Sequence, residues 1–228
     1  DRDAIFESMR RRRHYATTGN RAILDVAIAL EVDADRFERD PVLGPACSEP
    51  TRRLMMGDIA RVADREVELL IDVVGSAPIE RLDIWDGLDH LETVRPYRPA
   101  DLGARVRLVY EGAEVRGRAR ATTWDGSLAI TGNRILRASV INSWNLDRGI
   151  QRQDGTSLAW KAVTTGNFGA IDLWLESEDA GHLAFETVPV SGDVAVADLG
   201  MEPTTFAAGG LERAVRLVAR LARALAAA

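Results

Sequence analysis

The sequence predicts a mainly β protein: sandwich-like antiparallel sheets with a short N-terminal helix and a candidate C-terminal helix. Three observations carry this expectation. From Ile59 onward, short runs rich in Val, Ile, Leu, Thr and Trp alternate apolar with polar residues, the period-two pattern of half-buried strands. Gly, Pro, Asn and Asp punctuate those runs, and Trp-Asp-Gly occurs twice, at Trp85-Asp86-Gly87 and Trp124-Asp125-Gly126, each where a hairpin turn is expected. At 228 residues the chain can bury one large core or two small ones, and the stretch Pro96-Tyr97-Arg98-Pro99 divides it into residues 1–98 and 99–228.

Residues 1–13 form the helix. Ile5, Phe6 and Met9 stand at helical spacing, and acidic residues come early and arginines late, which complements the helix dipole at both ends. Arg10 to Arg13 step about 100° each around the axis, so they wrap the helix end and form no single binding face. Tyr15–Thr18 is extended, Gly19-Asn20 supplies a turn, and Ala22–Val32 is a strand. Residues 33–58 carry Pro41, Pro45 and Pro50 among scattered charges and read as a long loop containing Cys47.

Strands follow at Glu66–Val74, Ile79–Trp85 and Leu88–Val94. In the second unit, Val106, Leu108 and Tyr110 alternate with Arg105, Arg107 and Val109. Arg116, Arg118 and Arg120 then share one strand face, opposite Gly117, Ala119 and Ala121. Arg134–Asn142, Leu158–Val163, Ala170–Leu175, Leu183–Val188 and Val194–Leu199 complete the strands, with a polar segment at 143–157. On Ala170–Leu175 the apolar face is Ile171, Leu173 and Leu175, which puts Trp174 on the other face beside Asp172 and Glu176. In the tail from Gly210, Leu211, Val215, Val218, Leu221 and Leu225 suit a helix and the alanines favour one, with a strand as the alternative.

Composition narrows the functional classes. A net charge of −6 argues against a general nucleic-acid binder, which needs a basic surface. Lys161 is the only lysine beside 28 arginines, a bias that fits GC-rich bacterial coding at least as well as selection for bidentate anion recognition. Cys47 stands alone, which excludes an intramolecular disulfide and a four-cysteine zinc site, and both cytoplasm and periplasm fit. No apolar run is long enough to span a bilayer, so neither membrane nor nucleic acid is an expected partner. The chain opens inside a helix pattern with no initiator methionine, as a fragment or processed product would.

No residue set supplies a complete catalytic apparatus. Asp83, Asp86, Asp89 and His90 cluster around a hairpin turn without the spacing of a calcium loop, and His14, His90 and His182 fall in three different elements. No metal ligand is assigned. The arginine ladder Arg116, Arg118 and Arg120 is the best candidate for ligand contact, because like charges about 7 Å apart along a strand need carboxylates or an anion to answer them. Trp144 and Trp174 are candidate surface tryptophans of the kind that stack on carbohydrate.

One stretch has a family look. Arg12-Arg13-His14-Tyr15-Ala16-Thr17-Thr18-Gly19-Asn20-Arg21 resembles a bacterial family of unknown function related to PHP-type (polymerase and histidinol phosphatase) metal-dependent hydrolases. Met56-Gly57-Asp58, Val74-Gly75-Ser76-Ala77-Pro78-Ile79-Glu80 and Trp124-Asp125-Gly126 follow in the order that family would have. The resemblance implies that residues 1–20 close a barrel-like hydrolase domain and that the rest is its non-catalytic C-terminal β region. It places the metal-binding histidines and aspartates upstream, so no cofactor is expected in this chain and a divalent metal is expected in an upstream domain. The implied partner is that catalytic segment or a second copy of the chain. A phosphoesterase-type enzyme completed by an upstream segment or second chain, and a carbohydrate-binding β-sandwich module, are the alternatives.

Overall fold

The computed structural model describes residues 1–17, 21–63, 66–76, 79–118, 120–143, 145 and 147–221. The chain is mainly β with antiparallel sheets, as its alternation predicts. It divides into two compact units between Ile84 and Trp85, not at the proline-flanked boundary of 98 and 99. Pro99 instead opens a short 3-10 turn, Pro99–Asp101, that leads into a strand. No helix among the described residues is long and apolar enough to cross a membrane.

The first unit holds α1 (Arg2–Arg10), capped by the Asp1 carboxylate accepting from the Ala4 N–H at 2.9 Å. It also holds a sheet built on the long strand β1 (Ile23–Phe37). β2 (Ser48–Met55) lies along one edge of β1; β3 (Ile59–Arg61) and β4 (Glu68–Val74) share the other. The expected loop at 33–58 is thus strand at both 33–37, in β1, and 48–55, in β2. Pro50 is compatible with that strand because it pairs with Asp35 on the edge strand β2, where a proline's missing N–H costs no ladder bond. A register shift between Ala29 and Ala34 bends β1. The buried core is small: Leu30, Ala34 and Leu54, flanked by Ile28, Ala60 and Val62.

Along the chain a ribbon of β5 (Leu82–Asp86) and β6 (Asp89–Val94) follows, turning at Gly87-Leu88 with Gly87 at φ 60°. This is the hairpin expected at the first Trp-Asp-Gly.

The second unit is a sandwich. Its strands are β7 (Leu102–Ala113), β8 (Thr122–Thr123), β9 (Gly126–Thr131), β10 (Ile135–Ile141), β11 (Gly149–Gln153) and β12 (Ser157–Lys161). β13 (Val163–Thr164), β14 (Phe168–Leu175), β15 (His182–Thr187), β16 (Ser191–Ala195), β17 (Thr204–Ala207) and β18 (Leu211–Leu221) complete it. One five-stranded sheet runs β10-β14-β7-β18-β17 and the other β11-β12-β9-β15-β16. Their inward residues form one core, including Leu108, Ile171, Leu173 and Leu217 from the first sheet and Leu128, Leu158, Leu183 and Phe185 from the second. Ile171, Leu173 and Leu175 face inward as their alternation predicts.

Three expectations are corrected here. The tail is strand, not helix, over Leu211–Leu221: β18 pairs with both β7 and β17 and sends Val215 and Leu217 into the core, so tertiary pairing overrides the alanine-rich propensity. The polar segment 143–157 contains β11. The second Trp-Asp-Gly is no hairpin turn, because the strands it joins are not partners: β8 pairs with β13 and β9 with β12 and β15, and Trp124 between them is fully buried.

Thr-Gly-Asn recurs as turn chemistry. The buried Asn133 amide donates to the carbonyls of Ser177 and Ala180, and its oxygen accepts from the N–H groups of Arg134 and Ser177. The Asn167 oxygen accepts from the Thr165 N–H at 2.8 Å. The copy at Thr18 lies outside the described residues.

Candidate functional site

Two stretches far apart in the sequence meet in the first unit. Arg12 leaves α1 at φ 57° and donates from Nε and Nη2 to the Gly57 carbonyl, at 3.1 and 2.8 Å. Arg13 donates to Asp58 Oδ1 at 3.1 Å, while Asp58 Oδ2 accepts from the Met55 N–H at 3.0 Å. Gly57 has φ 90°, and a Cβ there would sit 2.1 Å from the Arg11 carbonyl oxygen, so only glycine allows this close approach. Arg12-Arg13 and Met56-Gly57-Asp58, both quoted in the family resemblance, therefore form one junction.

The junction borders a cleft of about 530 Å³ that also takes in Arg36, Arg39, Cys47 and Glu49. Arg36 pairs with Glu49 and reaches Asp58 at 3.8 Å, and Arg39 donates to the Pro45 carbonyl. These guanidinium groups are answered inside the cleft, so it offers structural clamping and not an open anion site.

The junction pins α1 by its arginine end and leaves its apolar side outward. Ile5, Phe6 and Met9 are 65%, 55% and 60% exposed. A nine-residue helix is too short to be stable alone in water, so its stability rests on such tertiary contacts.

No protein-family model, curated protein or solved structure matches this chain.

The arginine ladder is corrected. β7 ends at Ala113, and Arg116, Arg118 and Arg120 lie in an exposed, irregular segment where Gly117, at φ 92°, interrupts the alternation. We expect alanine at any one of the three to shift stability by no more than about 0.5 kcal/mol, measured by urea denaturation. Trp144 lies outside the described residues.

Trp174 is on the outward face as predicted, but it is not an open stacking platform. The guanidinium of Arg105 on one neighbouring strand and that of Arg137 on the other lie 5.0 and 4.7 Å from its ring centroid.

The ionic ladder of this face is one that sequence reasoning missed. Arg105 and Arg107 on β7 both pair with Asp172 on β14. Arg107 does so through two bonds of 2.6 and 2.9 Å. Asp172 is fully buried. Burial pushes its carboxyl up, but hydrogen bonds from Arg107 and then Arg105, with their charge, outweigh that and hold it below the usual carboxylate range. The available signal was the alternation of Arg105 and Arg107 together with a lone acid inside the apolar run Ala170–Leu175.

The three histidines have separate immediate neighbours. His14 is exposed, His90 stands edge-on to Trp85 at 4.9 Å, and His182 lies 3.6 Å from Asp193. Among the described residues no group of three or more His, Cys, Asp or Glu is arranged to hold a metal.

Proposed function

We propose that this chain is a non-catalytic β region that supports or gates a bacterial metal-dependent hydrolase domain of the PHP type, docking on it through α1. The observation that carries the reading is the stripe Ile5, Phe6 and Met9, outward on a helix anchored by its other end. Burying each of those side chains would stabilise a docked complex by roughly 1.5–3 kcal/mol. The meeting of Arg12-Arg13 with Met56-Gly57-Asp58 supports the resemblance, because both motifs then act together to set the angle at which α1 leaves the sheet. In this reading the hydrolase domain supplies the metal and the reacting groups, and the β region supplies the docking surface.

The test is amide exchange in α1 with and without a purified PHP-type catalytic domain. We expect protection of residues 4–10 on mixing, and its loss in the Ile5→Ser/Phe6→Ser double variant with the sandwich unit's melting unchanged. Exchange that is the same in both conditions would refute docking. Protection that rises with the chain's own concentration would assign the stripe to a second copy instead. Metal-dependent phosphoester hydrolysis by this chain alone would overturn the non-catalytic assignment.

A further inference from the structure

The sandwich unit contains a cavity of about 250 Å³ beside the end of β10 and the start of β14. It is smaller than drug-sized sites of roughly 300–1,000 Å³, which limits it to a ligand of about one ring. Tyr110 lines it. That ring lies across Gly169, where a Cβ would come within 2.4 Å of it and 2.9 Å of its hydroxyl oxygen. The hydroxyl makes no hydrogen bond to the described residues and is not sealed from solvent. Burial of the ring pushes its pKa up to about 12, so it meets a ligand as a neutral donor and acceptor.

Besides hydroxyl and apolar groups, the lining carries three asparagine amides and one guanidinium. The Asn142 Nδ2 donates to the Phe168 carbonyl at 2.6 Å, leaving its oxygen to accept. The side-chain oxygens of Asn145 and Asn167 accept from the N–H groups of Asp147 and Thr165, leaving their amide nitrogens to donate. Arg148 is the only charged side chain among the described lining residues, and its guanidinium has no partner among them. The half-exposed Phe168 ring adds an apolar surface.

We propose that this cavity binds a single uronate-type sugar unit. Its carboxylate pairs with Arg148, its hydroxyls meet the asparagine amides and the Tyr110 hydroxyl, and its C–H face lies against Phe168. A lining without carboxylates disfavours a cationic ligand, and a lone guanidinium suits a single carboxylate through two parallel hydrogen bonds. The mixture of free donors and acceptors suits hydroxyl groups, which do both. A free uronic acid and the terminal residue of a uronate-ended oligosaccharide present the same chemistry. This inference does not rest on the docking reading, since α1 belongs to the other unit.

The experiment is titration of the isotope-labelled chain with glucuronate, galacturonate and a uronate-ended oligosaccharide, with glucose and acetate as controls, followed by amide chemical shifts. We expect saturable shifts in Asn142, Ser143, Asn145, Arg148 and residues 163–169 with at least one uronate. Glucose and acetate should bind at least about tenfold more weakly. Tighter binding of the oligosaccharide would name the chain end as the source, and equal binding the free acid. Arg148→Gln should weaken uronate binding by about tenfold or more at an unchanged melting temperature, and Tyr110→Phe should weaken it while the core stays packed. The proposal is overturned by non-saturating shifts with every uronate, by acetate or glucose binding as tightly, or by Arg148→Gln binding like the parent.

Discussion

Replacing Asp172 by alanine should cost about 3–5 kcal/mol, the usual loss when one partner of a buried ion pair is removed. The carboxylate is fully buried and answers two guanidinium groups whose side chains are only 11% and 18% exposed. Without it, two like charges on adjacent positions of one strand face lose their common partner. Asp172→Asn keeps the shape and an accepting oxygen but loses the charge, so it should recover only part of the loss. Urea denaturation followed by tryptophan fluorescence measures both. A loss below about 1 kcal/mol for Asp172→Ala would place this clamp with ordinary surface pairs.

The same clamp sets a pH dependence with a definite sign. The folded carboxyl titrates below its unfolded value of about 3.9. Its contribution is therefore complete above that value and is lost as pH falls through the lower folded one. Parent and Asp172→Ala chains should differ most above about pH 4 and converge in stronger acid. A difference that does not change with pH would mean that packing, not charge, explains the loss.

Trp124→Ala should cost about 3–5 kcal/mol, as deletion of a buried aromatic typically does. Trp124 is fully buried, its ring lies 6.0 Å from that of Tyr110, and its Nε1–H donates to Thr164 Oγ1 at 2.8 Å. Its neighbours in the motif serve the same corner. The Asp125 carboxylate accepts from the Ala162 N–H at 3.0 Å, and a Cβ on Gly126 would stand 2.4 Å from the Glu186 carbonyl oxygen. Trp124→Phe keeps most of the volume and loses one hydrogen bond, a cost nearer about 1 kcal/mol beyond the lost packing. Thermal melting of the two variants tests the order. If Trp124→Ala melts within a few degrees of the parent, Trp124 is not the keystone of this corner.

Much of the candidate chemistry was legible only in part. The exposed stripe of α1 could be read from the spacing of Ile5, Phe6 and Met9, because a helix repeats over a few residues and needs no distant partner to set its faces. The Arg116–Arg120 ladder could not, because alternation says nothing about whether a strand continues past Gly112 and Gly117, both at positive φ. The pairing that makes the Asp172 clamp and the Tyr110 cavity could not be assembled from local pattern, because each joins strands distant in the sequence. Asp172 sits opposite Arg107 only through the β14–β7 register, and Gly169 opposite Tyr110 only through the same pairing.

The amino-acid order by itself determined the strand-rich class, the inward set Ile171, Leu173 and Leu175, the hairpin at Asp86-Gly87 and the amphipathic α1, all from local periodicity and turn chemistry. Tertiary structure alone decided that Leu211–Leu221 is a strand, that Pro50 sits on an edge, and that Trp124 lies in the core and not over a turn. The physical reason is common to all three. A strand's stability comes from neighbours it hydrogen-bonds and packs against, so its fate is set by where the rest of the chain returns, which local propensity does not encode.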